Sequence, residues 1–258
     1  MRAGTTAGSS EPASVDIQEL TFGYPGGGDI LKGLTLGVKA GERLGIIGPS
    51  GAGKTTLLLH LNGILSPRAG TVAIDGQIVA PSRIARIREW VGLVFQDPDD
   101  QLFTPTVGED VAFGPRNLGL GEEEVARRVK ISLDAMDMAG SEKSPPYNLS
   151  YGERRRAALA TVLAMEPRVL ALDEPFANLG PALVERLIRT LRELPATVII
   201  VSQAIFPLMA ACDRMALLAE GRIQALGSTR EIVGDRQLLD RYGLDFTFYL
   251  DSYRRLGF

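Results

Sequence analysis

The sequence predicts an α/β fold with a mixed, mostly parallel sheet, an antiparallel β subdomain, a helical insertion and a short helical C-terminal extension. Three observations predict it. The apolar runs Val169–Leu172 and Thr197–Val201 are continuous rather than alternating, as parallel strands covered on both faces are. The apolar run Arg43–Ile47 stops at a glycine-rich loop that opens a helical pattern over Lys54–Leu65, the strand-then-helix order of an α/β unit. From Asp97 to about Tyr147 strand signals give way to proline and glycine punctuation and then to a helical period.

Each element follows from local chemistry. Val15–Phe22 reads as a strand, and three successive glycines within Gly23–Asp29 mark a turn before the strand Leu34–Val38. Thr71–Ile74 and Gln77–Val79 flank Asp75-Gly76, a hairpin signal, and Val91–Phe95 is a further buried strand. Glu122–Met138 is helical, with Val125, Val129, Leu133 and Met136 on one face, and Gly152–Met165 is a helix ended by Glu166-Pro167. Met215–Leu218 and Arg222–Ala225 are strands around Glu220-Gly221. Glu231–Phe258 holds short helical patterns and many aromatics (Tyr242, Phe246, Phe248, Tyr249, Tyr253, Phe258), which suit a dimer contact or a satellite core equally.

The chain has 258 residues, 45% hydrophobic and 23% charged, enough for one large domain or a domain with a subdomain. A net charge of −3 and a pI near 5.4 argue against a broad nucleic-acid footprint, though a local basic patch stays open. The single cysteine, Cys212, excludes an intramolecular disulfide framework and a cysteine-rich zinc site; it reads as a small buried apolar residue and fits a reducing compartment. Residues 1–14 are small and polar, a flexible tail rather than a signal peptide. Ser202, Gln203 and Pro207 interrupt the most apolar stretch, Ala196–Cys212, so nothing reaches the roughly 18 apolar residues of a spanning helix. Work at a membrane would need other chains to supply the spans.

Gly48-Pro49-Ser50-Gly51-Ala52-Gly53-Lys54-Thr55 matches G-x-x-x-x-G-K-[ST] in full. Glycines let main-chain N–H groups converge on phosphate oxygens, and the helix that follows aims its positive dipole end at them. Lys54 would reach the β- and γ-phosphates of a nucleotide, Thr56 would extend the cradle, and the Thr55 hydroxyl would ligate Mg²⁺. Val169–Leu172 delivers Asp173-Glu174 at the end of a buried strand. Asp173 would hold the metal directly or through water, and Glu174 would orient or deprotonate an attacking water. An apolar run ending in two acids is weak evidence alone; downstream of the phosphate loop it becomes specific.

Over 15–230 the chain resembles an ABC transporter ATPase with a P-loop NTPase (RecA-like) fold, its helical subdomain spanning about 97–150. It is similar in particular to the ATPase subunits of energy-coupling factor importers of cobalt, nickel and vitamins. Val94–Phe103, Val111–Leu120 and Leu163–Pro167 carry the narrower resemblance. The resemblance implies ATP and Mg²⁺ as ligands, and Tyr24 as the ring that stacks on adenine. It implies Gln96 as the glutamine that touches the metal or its water and links the site to a membrane partner. Leu149-Ser150-Tyr151-Gly152-Glu153 then falls at the signature, where Ser150, Gly152 and Glu153 would close over nucleotide bound by an opposing subunit. Two ATPase chains would sandwich two ATP molecules, with 231–258 supporting the pairing. The partners implied are a membrane scaffold and a substrate-capture subunit, at the cytoplasmic membrane face, with no nucleic acid.

Three positions depart from the family's pattern. Gln203 stands where the switch histidine is expected, and His60, the only histidine, lies on the helix after the phosphate loop and reads as packing or surface. Gln203 can donate a hydrogen bond to a γ-phosphate but cannot carry a charge or pass a proton. Tyr151 replaces a glycine of the signature, and Gly180 replaces the aspartate expected after Ala177-Asn178-Leu179. A homodimer would collect all three departures in each composite site. A heterodimer with a conventional ATPase would spare one site, and the sequence leans that way. The competing expectation is a nucleotide-binding subunit that hydrolyses poorly. A soluble cassette acting on DNA or ribosomes fits worse, lacking a second cassette, and a kinase or GTPase does not explain Leu149–Glu153.

Overall fold

The computed structural model describes residues 11–244. β1 (Val15–Phe22), β2 (Leu31–Val38) and β3 (Arg43–Ile47) lead into α1 (Lys54–Leu61), followed by β4 (Ala69–Ile74), β5 (Gln77–Ile78), α2 (Ile84–Trp90) and β6 (Val91–Val94). α3 (Val107–Asn117), α4 (Glu122–Ala135) and α5 (Tyr151–Leu163) form the helical insertion. Alternation then resumes with β7 (Val169–Asp173), α6 (Pro181–Glu193), β8 (Thr197–Val201), α7 (Ile205–Ala211), β9 (Arg214–Ala219) and β10 (Arg222–Ser228), and ends in α8 (Thr229–Gly234) and α9 (Arg236–Arg241).

The strands make two sheets. The larger runs β10-β9-β3-β8-β7-β6, parallel from β9 to β6 with β10 antiparallel at one edge. The smaller, β2-β1-β4-β5, is wholly antiparallel. Alternate residues of the parallel strands enter different cores. Leu170, Leu172, Val198 and Ile200 pack with the insertion helices, α6 and α7, while Val169, Ala171, Ile199 and Val201 pack with α1 and the small sheet. That two-sided burial is why β7 and β8 are apolar at nearly every position, each buried aliphatic side chain contributing about 1.5–3 kcal/mol.

Several boundaries move from the sequence expectation, each for a backbone reason. α1 ends at Leu61 rather than Leu65 because Gly63 turns left-handed at φ 67°. α4 stops at Ala135 rather than Met138, since Asp137 takes φ 57°. α5 starts at Tyr151, capped by Ser150, and ends at Leu163 before Glu166 at φ 50°. Asp75 and Gly76 both have positive φ, 49° and 71°, as a type I′ hairpin requires. α2, α3, α6 and α7 have no counterpart in the sequence expectation.

The tail expected over 1–14 is fixed at its end. Ala13 is fully buried, its N–H donates to Arg168 O at 3.3 Å, and its carbonyl accepts from Thr197 Oγ1 at 2.6 Å. Residues 1–10 and the aromatic stretch 245–258 lie outside the described residues. Cys212 is buried as expected, and burial pushes its thiol up to about 12.

Candidate functional site

The order of the large sheet decides where the chemistry sits. β3 lies between β8 and β9, and β7 lies beside β8, so the chain leaves all of them at one carboxyl-terminal edge, where open α/β sheets bind ligands. A cavity of about 310 Å³ opens there, lined by Ile30, Ser50, Gly51, Gly53, Lys54, Thr55, Thr56, Gln96, Asp173, Glu174 and Gln203.

The loop after β3 needs its glycines. A Cβ on Gly48 would lie 2.0 Å from Leu218 O, so the close approach of β9 admits no side chain. Gly53 caps α1 at φ 99°, a left-handed conformation. The first N–H groups of α1, from Lys54 to Thr56, have no carbonyl inside the helix four residues back, and they face the cavity end of the helix. Lys54 is buried, and its Nζ donates to Gly48 O at 2.9 Å and Pro49 O at 3.0 Å. Burial pushes its pKa down, against the pull of Glu174 and Asp173.

Across the cavity, Thr55 Oγ1 donates to Asp173 Oδ2 at 2.5 Å. Burial raises the Asp173 pKa, while Thr55, Arg155 and Lys54 hold it down. Glu174 follows β7 with φ 48°. Its carboxylate accepts from Ser202 Oγ at 2.8 Å and from Gln203 N–H at 2.9 Å, and burial again raises its pKa. Gln203 Nε2 reaches Ser50 Oγ at 3.4 Å, so the amide lies against the phosphate loop.

Other expected site residues stand outside the lining. Tyr24 is 42% exposed, with its hydroxyl 3.5 Å from Thr56 Oγ1 and its ring edge-on to Phe22. Gly48 and Pro49 supply the carbonyls that hold Lys54, and Ala52 is buried in the small-sheet core. Ser150, Gly152 and Glu153 do not line this cavity. Ser150 and Glu153 form a capping box at the start of α5, with Glu153 Oε2 accepting from both the Ser150 hydroxyl (2.7 Å) and its N–H (2.8 Å). The Glu153 carboxylate is thus already engaged in the helix cap.

Two contributors escape sequence reasoning. Ser202, fully buried, holds Glu174, yet it reads as one small residue before the more conspicuous Gln203. Arg155, also fully buried, hides inside Arg154-Arg155-Arg156, a run that resembles a solvated face. No signal in a single sequence separates the middle arginine from its neighbours.

The ABC transporter family model matches residues 31–177, which span the phosphate loop, the signature segment and both acids. The chain belongs to the ABC transporter family. An energy-coupling factor transporter ATP-binding protein of Methanothermobacter thermautotrophicus is 46% identical over 247 residues, covering 94% of this chain and 79% of that one. CbiO1 of Clostridium perfringens, described as part of the ABC transporter complex CbiONQ, superposes with a TM-score of 0.76 at 36% identity, covering 91% of this chain and 96% of that one. A dimeric ATP-binding cassette in a post-hydrolysis state with ADP and Pi superposes with a TM-score of 0.77 at 27% identity, covering 84% and 99%. As an ABC transporter ATP-binding subunit, the chain has the P-loop NTPase fold and is an ATPase.

The residues present fit Mg²⁺ arriving with nucleotide. Thr55 and Asp173 offer a hydroxyl and a carboxylate side by side, 2.5 Å apart at the cavity, the hard oxygen donors that Mg²⁺ takes. Among the described residues no group of three or more His, Cys, Asp or Glu could hold a metal unaided, so phosphate and water oxygens would complete the shell. Among the described residues no helix is long and apolar enough to cross a membrane.

Proposed function

We propose that this chain is the ATP-binding subunit of an energy-coupling factor importer, coupling ATP binding and hydrolysis to uptake of a metal ion or vitamin. The observation that carries the hydrolytic part is the convergence of Lys54, Thr55, Asp173, Glu174 and Gln203 on one cavity. Main-chain N–H groups of the phosphate loop and Lys54 hold the phosphates. Thr55, Gln96 and Asp173 would hold Mg²⁺, where it would supply positive charge to the nucleotide phosphates. Glu174, kept in place by Ser202 and the Gln203 N–H, aligns the attacking water and accepts its proton. Gln203 donates to the γ-phosphate in place of a histidine, and Tyr24 supplies the face for adenine.

Ser150, Gly152 and the capped start of α5 would close on nucleotide held by a second ATPase chain, identical or conventional. The segment Gln96–Arg116 carries an exposed aromatic pair, Phe103 (67% exposed) and Phe113 (48%), edge-to-face at 4.9 Å. That pair supports docking of the membrane scaffold at this segment, on the cytoplasmic face of the membrane.

Mild-detergent purification of the tagged full chain from membranes, with identification of bound chains, tests the assembly. The expected companions are a membrane scaffold, a small substrate-capture protein and a second ATPase copy; recovery of the chain without membrane proteins contradicts it. The Gln203 amide at the loop favours a second reading, a subunit that binds ATP and hydrolyses it poorly. Steady-state turnover no greater than that of Glu174→Gln would decide for it.

A further inference from the structure

Arg155 lies in α5, five residues after Ser150, and is 0% exposed. Its Nη1 donates to Phe95 O at 2.7 Å and to Gln96 O, and its Nη2 donates to the carbonyls of Asp173 and Glu174. One planar guanidinium therefore joins the chain just beyond β6 to the end of β7 and the residue after it. The Tyr151 hydroxyl, one residue into α5, reaches the same Gln96 carbonyl at 3.5 Å.

A buried cation is an expensive way to pack a helix on a strand edge, since an apolar residue of similar volume packs as well without desolvating a charge. No carboxylate oxygen forms an ion pair with Arg155 among the described residues; its contacts are main-chain carbonyls. A guanidinium presents donors on a rigid fork and can satisfy two pairs of acceptors at once, which a compact ammonium cannot. What the residue adds is a fixed relation between two segments, one carrying Gln96 and the other Glu174.

We propose that Arg155 is a positioning residue for hydrolysis, clamping the main chain of Glu174 and of Gln96 to α5 so that a force on either α5 or the Gln96 segment moves the hydrolytic carboxylate. The inference rests on the reading of Glu174 as the residue that directs water. Ser150 caps the start of α5, so the clamp also gives a mechanical route from the nucleotide that this end of the helix would grip to the water-directing group of this chain's own site.

The test compares the purified full chain with Arg155→Met, Arg155→Lys and Glu174→Gln. Steady-state MgATP hydrolysis is read as kcat and KM, and amide hydrogen exchange is read over 91–101, 169–179 and, as control, 43–57. Displacing a reacting group by about 1 Å costs on the order of a hundredfold, so Arg155→Met should lower kcat by at least about tenfold with KM changed less than about threefold. Exchange should rise over both 91–101 and 169–179 while the phosphate-loop control stays as in the parent chain. Arg155→Lys keeps the charge and reaches one carbonyl pair, so it should fall between. It serves as the test chain if Arg155→Met does not fold, and the exchange pattern reads the clamp whatever the parent's rate. Parent-like kcat and exchange in a folded Arg155 variant overturn the clamp alone, provided Glu174→Gln is inactive. A Glu174→Gln chain that turns over normally overturns the site reading, and the proposal with it.

Discussion

Ser202 Oγ donates to Glu174 Oε2 over 2.8 Å while the neighbouring Gln203 N–H donates to Oε1 over 2.9 Å, so the loop after β8 holds both oxygens of the carboxylate that follows β7. Burial raises the Glu174 pKa above its ordinary 4.5, and these two bonds pull it back. Ser202→Ala removes one of them and should raise the pKa further. A carboxylate that accepts a proton works ionised, so activity is lost as pH falls through its pKa, and the acid limb of the kcat profile should move to higher pH. A hydrogen bond to a charged group contributes about 1.5–3 kcal/mol, so kcat near neutrality should fall by roughly tenfold or more. pH–rate profiles of the two chains check this, and an unmoved acid limb counts against the assignment.

Lys54 is stored against its own loop, its ammonium held by the Gly48 and Pro49 carbonyls with two carboxylates nearby. Nucleotide phosphates would replace those carbonyls with charged acceptors. Lys54→Ala removes the contact and leaves Asp173 and Glu174 without their nearest cation at the loop. ATP affinity should drop by at least about a hundredfold, the equivalent of one or two charge-assisted hydrogen bonds. Equilibrium titration with a fluorescent ATP analogue measures it; unchanged affinity would remove the phosphate loop from the account.

The Gln203 side chain lies against Ser50 of the phosphate loop, so a histidine at this position would start from the same place beside the cavity. Gln203→His adds a donor that can carry positive charge at the γ-phosphate. One well-placed transition-state donor is worth on the order of 10²–10³ in rate, and replacing a partial substitute should recover about tenfold in kcat with little change in ATP affinity. Steady-state assays at saturating MgATP decide it. No gain would mean that turnover is limited elsewhere, with the departures at Tyr151 and Gly180 the next positions to revert.

Gly180 caps α6 at φ −68° without a side-chain bond, and a Cβ there meets nothing within 4 Å. The backbone does not require glycine. Gly180→Asp supplies the missing cap and should stabilise the fold by a few tenths of a kcal/mol. For a domain of this size that is a rise of about 1 °C in Tm, readable by calorimetry. A fall in Tm would show that the loop before α6 excludes a carboxylate.

What was legible in the sequence follows the physics of each element. β7 and β8 announce themselves because burial on both faces forbids polar residues, and Asp75-Gly76 because only such residues accept two positive φ values in a row. The phosphate loop and the paired acids are legible because their chemistry fixes residue types at fixed spacing. α3 stays hidden since Gly108, Gly114 and Pro115 mimic loop punctuation. Gly108 is small because a Cβ would meet Glu142 O at 2.9 Å, and Gly114 because one would meet Met165. Those glycines record close packing that no local rule reveals. The roles of Ser202 and Arg155 depend on partners 28 and 18–60 residues away, and only the folded chain displays them.

His60 links stability to pH at the back of the same site. It is fully buried on α1, with Nδ1 2.7 Å from Thr56 O and its ring edge-on to Phe22 at 4.8 Å. Burial pushes its pKa below the ordinary 6.5, against main-chain hydrogen bonds at Thr56 and Ser66. The folded chain therefore keeps His60 neutral at pH values where the unfolded chain has taken up a proton. Its contribution is complete above 6.5 and is lost as pH falls from there towards the lower folded value. One proton changes stability by at most about 1.4 kcal/mol per pH unit within that window. His60→Leu should flatten this slope, leaving the opposite contributions of Asp173 and Glu174, whose raised values favour the folded state as pH falls. Urea midpoints of both chains between about pH 5 and 7.5 isolate the histidine by difference. Phe22 also carries Tyr24 edge-on at 5.1 Å, so if Tyr24 is the ring that stacks on adenine, as proposed, ATP affinity should weaken as pH falls in the parent chain more than in the variant.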